Sequence, residues 1–146
     1  MPNQVIISFA LSTLDAEVPL GFEAWIDDQK FHDIPHVTDT QNIKIEINDD
    51  NKAEHELRLV MKNKTLDHTQ IDHNGNIVSD ATLCITDLAI DGIVLGHTLT
   101  EQSTYTHDFN GTGTMSDHKF YSEMGCNGTV SVKFTTPVYL WLLEHM

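Results

Sequence analysis

The sequence predicts a single antiparallel β-sandwich, jelly-roll-like in outline, over residues 1–146. Three observations carry that expectation. Apolar side chains recur at every second position, as in Ile43, Ile45 and Ile47 and again in Leu57, Leu59 and Met61, which is the period of a half-buried strand. Turn residues interrupt the chain about every ten positions, a spacing typical of sandwiches and barrels. No stretch carries a sustained helical stripe. A chain of 146 residues with 40% apolar composition fits one domain with a core of its own.

The elements follow in order. Val5 to Leu11 reads as an opening strand, and Phe22 to Ile26 as a second, which Asp27-Asp28-Gln29-Lys30 turns toward Phe31. The runs Ile43 to Ile47 and Leu57 to Met61 flank the polar cluster Asn48-Asp49-Asp50-Asn51-Lys52, so they are expected to form an antiparallel hairpin. Thr82 to Ile93 reads as one long strand. Its apolar parity changes between Leu83-Ile85 and Leu88-Ile90, which predicts a bulge at Thr86-Asp87. Further strands are expected at Tyr105 to Phe109, Phe120 to Met124, Thr129 to Phe134 and Val138 to Leu142. Pro137 suits a strand start. A short helix over Leu140 to Met146 is the alternative, but the β-branched and aromatic neighbours favour a strand. Cys84 lies in an apolar strand pattern and Cys126 in a Gly-Cys-Asn-Gly turn; two free thiols are expected.

The formal net charge is −14, from 22 acidic and 8 basic side chains. Such a surface repels phosphate backbones and anionic headgroups, which argues against nucleic acid and membrane partners. It suits cations and neutral ligands, or serves solubility alone. No apolar run approaches the roughly 20 residues that span a bilayer. Met1-Pro2-Asn3-Gln4 lacks the basic region of a signal peptide.

Several constellations invite chemistry. Asp72, Asn74, Asn76 and Asp80 present hard oxygens of the kind calcium takes, although the glycine at position 75 and the lack of a closing glutamate exclude an EF-hand. The competing reading is a plain Asn-Gly turn. Nine histidines are present, none in a His-Glu-x-x-His pattern, and no cysteine pair has zinc spacing. His107-Asp108 beside Asn110-Gly111 could belong to a ligand site. A serine elbow of the Gly-x-Ser-x-Gly type is missing, and no enzyme is expected. The sequons at Asn63, Asn110 and Asn127 read as turn residues. Trp25, Tyr105, Tyr121, Tyr139 and Trp141 are the aromatics that could stack on a sugar. Tyr105 and Tyr121 flank the glycine-rich loop and are the two expected to be exposed. The expected ligand-binding set is Tyr105, Tyr121, His107 and Asp108.

Trp25-Ile26-Asp27-Asp28 resembles the variable-aspartate-glycine turn of the calcium-dependent xylan-binding modules, which are jelly rolls of the galactose-binding type. His55-Glu56-Leu57-Arg58-Leu59-Val60-Met61-Lys62-Asn63 is similar to their His-x-Ile-x-Ile-x-Phe-x-Asn-Asp strand. The run Asp80 to Gly92 resembles their Asp-Arg-Asn-Leu segment and the strand after it. The resemblance spans roughly residues 1–95, with short motifs. It implies a non-catalytic carbohydrate-binding module assisted by calcium, with Asn63, Asp72, Asn74 and Asp80 as metal residues. The chain departs from the pattern at Lys64, where the family places a metal-binding aspartate, and at Ala81-Thr82, where it places Arg-Asn.

The segments Tyr105 to Gly111, Met124 to Gly128 and Thr136 to Glu144 resemble uncharacterised proteins of tailed phages of marine cyanobacteria. That resemblance implies a viral or marine-metagenomic origin and a place in the virion. The alternative function is thus a virion structural or assembly protein. Its apolar run Val138 to Leu143 would dock on another virion protein or on a second copy in a homo-oligomer. A small hydrolase or isomerase on the same scaffold is a third reading, since one scaffold hosts many activities.

Overall fold

The computed structural model describes residues 4–13, 20–48, 54–64, 69–71, 77–80, 82–108 and 113–145. In chain order the elements are β1 (Gln4–Thr13), β2 (Gly21–Ile26), β3 (Gln29–Ile34), β4 (Gln41–Asn48), β5 (His55–Lys62), β6 (Thr69–Ile71) and β7 (Ile77–Asp80). Then come β8 (Leu83–Ile90), β9 (Ile93–Val94), α1 (His97–Gln102), β10 (Ser103–His107), β11 (Ser116–His118), β12 (Glu123–Met124), β13 (Gly128–Phe134) and α2 (Val138–Glu144). Only the backbone of β6 and β7 is described, and Asp72, Asn74 and Asn110-Gly111 lie outside the described residues.

Two antiparallel sheets face each other. Sheet A runs β12-β8-β1-β4, with β9 on β8; sheet B runs β11-β10-β13-β5-β2-β3, and β6 with β7 makes a separate ribbon. The period-two pattern fixes which side chains turn inward. Val5, Ile7, Phe9 and Leu11 of β1, Ile43 and Ile45 of β4, and Leu83, Ile85, Leu88 and Ile90 of β8 supply one wall. Phe22, Ala24 and Ile26 of β2, Leu57, Leu59 and Met61 of β5, and Val130, Val132 and Phe134 of β13 supply the other. Phe9 and Phe22 meet across the gap edge to face, with ring centroids 5.9 Å apart. The antiparallel β-sandwich expected from the sequence is the fold of the chain.

The bulge on β8 is also where the parity change puts it. Ala10 faces Thr86 and Ser8 faces Ala89, so Asp87 and Leu88 together oppose Phe9, and Asp87 takes a φ of 56°. That extra residue returns Leu88 and Ile90 to the core side. The strand ends at Ile90, and Asp91-Gly92 turns it into β9.

Three expectations require correction. First, β4 and β5 do not form a hairpin. β4 pairs with β1 in sheet A, whereas β5 lies between β13 and β2 in sheet B. Alternation identifies a strand's buried face but not the sheet that supplies it, and here two consecutive strands bury their apolar faces from opposite walls. Second, Val138 to Leu142 is helical. Val138, Trp141 and Leu142 are buried at spacings of three and four, the helical neighbour spacing. Pro137 is the N-cap of α2, next to the first helical position that suits a proline-led start. Third, only Glu123-Met124 of the Phe120 to Met124 run is strand; Phe120 is a buried anchor in the loop before it. Cys84 and Cys126 are free thiols, and burial pushes the Cys84 thiol up from its ordinary value, with the Glu123 charge adding to the effect. Among the described residues no helix is long and apolar enough to cross a membrane.

Candidate functional site

Tyr105, expected on the surface, is 5% exposed. It points inward from β10, and its hydroxyl accepts a hydrogen bond from the Cys126 amide at 2.9 Å and donates one to the Cys126 carbonyl. Its ring packs edge to face on Phe120. The tyrosine therefore pins the Gly-Cys-Asn-Gly turn and offers no face to a ligand. Gly128 shows how close that packing is, since a Cβ there would lie 2.3 Å from the Thr106 carbonyl oxygen and 2.8 Å from the His107 Cβ. His107 is buried too. Its ring stacks on His118 at 4.4 Å and tilts against Tyr105 at 4.6 Å. Burial, and secondarily the neighbouring His118, holds its imidazole below the ordinary histidine range. Asp108 follows at the end of β10, half-buried. Tyr121 is 70% exposed. Of the expected ligand-binding set, Tyr105, His107 and Asp108 lie together at the end of β10, and Tyr121 stands on the loop after β11.

The metal set meets an obstacle at its first member. Asn63, exposed and left-handed with φ 73°, is followed by Lys64, which is 4% exposed. The Lys64 ammonium donates to the Gly125 carbonyl at 2.6 Å. Its backbone exchanges two hydrogen bonds with the Asn127 side chain, at 2.9 and 2.7 Å. A dication about 4 Å from an ammonium is disfavoured by about 8 kcal/mol at an effective dielectric of about 20. A calcium ion would therefore not share the Gly125 carbonyl with this ammonium; Asp72 and Asn74 of the expected set lie outside the described residues, and of Asp80 only the backbone is described. Among the described residues no group of three acidic, histidine or cysteine side chains converges as a metal site.

The concentration of polar and aromatic groups lies elsewhere, on the outer face of sheet B, and strand register builds it. One row across the sheet reads Asp33, Glu23, Val60, Thr129; the next reads Lys30, Trp25, Arg58, Ser131. Trp25, partly exposed, is thus flanked by cations on both neighbouring strands. Lys30 Nζ and the Arg58 guanidinium each lie 5.6 Å from its ring, within cation–π range. Its indole N–H donates to Glu23 at 2.8 Å. Glu23 in turn meets Lys62 at 2.8 Å, and Lys62 meets Asp33 at 2.7 Å. The Lys62 ammonium holds both carboxyls below their usual range, and Asp33 followed by Glu23 raises Lys62. Arg58 reaches Asp28 at 2.6 Å, and Glu56 beside it accepts from Ser131 at 2.7 Å. Glu23, Trp25, Arg58, Val60 and Thr129 line a groove of about 230 Å³. Two of the chain's eight basic side chains lie against this one tryptophan, and a third, Lys62, is joined to it through Glu23.

The β2–β3 turn holds that face in place. Asp27 and Asp28 take φ values of 50° and 70°, the left-handed pair of a two-residue hairpin turn that aspartate tolerates. The Asp27 carboxylate pairs with Nδ1 of the buried His55 at 2.5 Å and accepts from the Glu56 amide at 2.9 Å. His55 stacks on Phe134. The resemblance of Trp25 to Asp28 and of His55 to Asn63 to family motifs thus corresponds to a structural clasp between β2 and β5. A second concavity of about 400 Å³ opens beside the clasp, with Gln29, Phe31, Glu46 and Asn48 on its lining. Trp25 was one of five aromatics the sequence offered. What singles it out is the cross-strand register, which the sequence alone does not reveal.

No family model matches the chain, and no curated protein matches it. Two solved structures do. One is the selenomethionine form of vCBM60, described with a circular permutation that links two families of calcium-dependent carbohydrate-binding modules. It superposes with a TM-score of 0.56 at 11% identity, over 88% of this chain and 89% of that one. The other is vCBM60 in complex with galactobiose, with a TM-score of 0.52 at 12% identity, over 87% of this chain and 96% of that one. At such identities the likeness is one of fold: the chain shares the β-sandwich architecture of vCBM60.

Proposed function

We propose that the chain is a non-catalytic glycan-binding module whose binding face is the Trp25 groove on sheet B. The observation that carries this reading is the register that sets one tryptophan among a carboxylate, a guanidinium and a threonine hydroxyl on a rigid sheet. A pyranose presents an apolar C–H face and a rim of hydroxyls. The exposed part of the indole ring and Val60 suit the C–H face, while Glu23 accepts and Arg58 donates to the rim. Both polar groups are already oriented by neighbours, which lowers the ordering cost of binding. The vCBM60-like fold supports the reading, since that protein is a carbohydrate-binding module. Calcium has no part in it. A glycan array is the test. Selective binding that disappears with Trp25→Ala and persists with Tyr121→Ala is expected. Binding that instead depends on Tyr121 would move the site to the loop after β11, beside β8 of the other sheet.

A second reading, an assembly protein that docks on another virion chain or on its own copy, is favoured by α2. Tyr139, Leu140 and Leu143 are exposed on that helix while its other face is buried. Light scattering separates the two: self-association that Leu140→Glu abolishes would support assembly.

A further inference from the structure

Lys64 stands just past the end of the β5–β13 ladder, whose last pair is Met61 with Gly128, where the segment leaving β5 meets the turn between β12 and β13. We propose that its ammonium is a resident cation doing the work a bound divalent ion would do at this corner, so that the chain holds the corner without calcium. Gly125 presents a backbone carbonyl, an oxygen of the type calcium takes, and the ammonium already occupies it at 2.6 Å. The side chain cannot readily swing out to vacate that place. Its own backbone is held by the paired amide bonds with Asn127, two residues past the carbonyl it grips. The same turn is held from the other side by the Tyr105 hydroxyl on Cys126. Three consecutive residues, Gly125, Cys126 and Asn127, are therefore each tied by a side-chain bond, Gly125 and Asn127 to Lys64 just past β5 and Cys126 to Tyr105 of β10.

A buried charge is tolerated only when it is paired or hydrogen-bonded, and a lysine suits this role because its three donors can serve several oxygens around one point charge. The difference from an ion is that this cation is covalently part of the chain. It cannot be chelated, and its presence does not follow the ambient calcium concentration. The chain then departs from the calcium-dependent character stated for the vCBM60 families while keeping the fold. This inference does not depend on the glycan reading.

The test is a thermal melt of chelator-treated protein with and without millimolar calcium, backed by calorimetric titration of calcium into the full chain. The wild-type midpoint is expected to agree within about 1 °C in the two conditions, with no binding heat, because only a ligand of the native state shifts it. An upward shift, or a saturable binding heat, overturns the proposal. Lys64→Met keeps the bulk of the side chain and removes its charge. Its midpoint is expected to fall, by about 3 °C or more, alike in chelator and calcium. A midpoint equal to that of wild type also overturns it, since the ammonium would then tie nothing. Lys64→Asp is expected to gain a calcium response, either a higher midpoint or refolding only with calcium.

Discussion

Tyr105 illustrates how one hydroxyl decides a role. The sequence placed it beside glycines and so suggested exposure, but a glycine run also permits close approach, and at Gly128 the backbone of β10 uses that space. The hydroxyl then serves the Cys126 amide and carbonyl. Tyr105→Phe is expected to lose about 1–3 kcal/mol, the range for leaving buried polar groups unpaired, read as a lower urea midpoint with an unchanged slope. His107 gives a pH signature. Its pKa is lowered in the folded chain, so the unfolded chain binds more protons as the pH falls below the ordinary value of 6.5. The stability it contributes is full above that value and declines as the pH falls through it. Urea midpoints are expected to fall from about pH 7.5 to about pH 5.5, and less steeply in His107→Phe. A fall of equal steepness in that variant would assign the effect to other groups. Lys64 was legible as a departure from a family pattern. Its burial and its grip on Gly125 were not, because both depend on a loop more than sixty residues further along the chain.

At the scale of elements, alternation located β1, β2, β4, β5, β8, β10 and β13 but not β3, β6, β7 or β11, and the parity change in Leu83 to Ile90 located the bulge on β8. Pairing was less legible. Ile43 to Ile47 and Leu57 to Met61 read as hairpin partners because adjacency in sequence is the commonest source of adjacency in space, yet they end in opposite sheets. The helix α2 is hidden in the sequence for a related reason: aromatic and β-branched residues favour strands as a class, but spacing governs which of them can share a face. Trp141, buried on that face, is the anchor. Trp141→Ala is expected to cost about 3–5 kcal/mol, and Leu143→Ala on the exposed side within about 0.5 kcal/mol. Equal losses from the two, measured by chemical denaturation, would mean that α2 does not seat as described.

Across the whole molecule, two sheets enclose one apolar layer, and the outward side chains of sheet B are left to interact with solvent or a ligand. An acidic chain would be expected to present carboxylates there. It does, with Glu23, Asp28, Asp33 and Glu56, but the register also sets Lys30, Arg58 and Lys62 among them. Candidate aromatics could be read from the sequence, but the choice among them required knowing which strands lie side by side. The central claim is that this face binds a glycan through Trp25. Its most direct test is calorimetric titration of the best array glycan into wild type and Trp25→Ala, once both melt at similar temperatures. The account predicts that affinity falls about thirtyfold or more, as for a residue that dominates an interface. Equal affinities in the two proteins would contradict it.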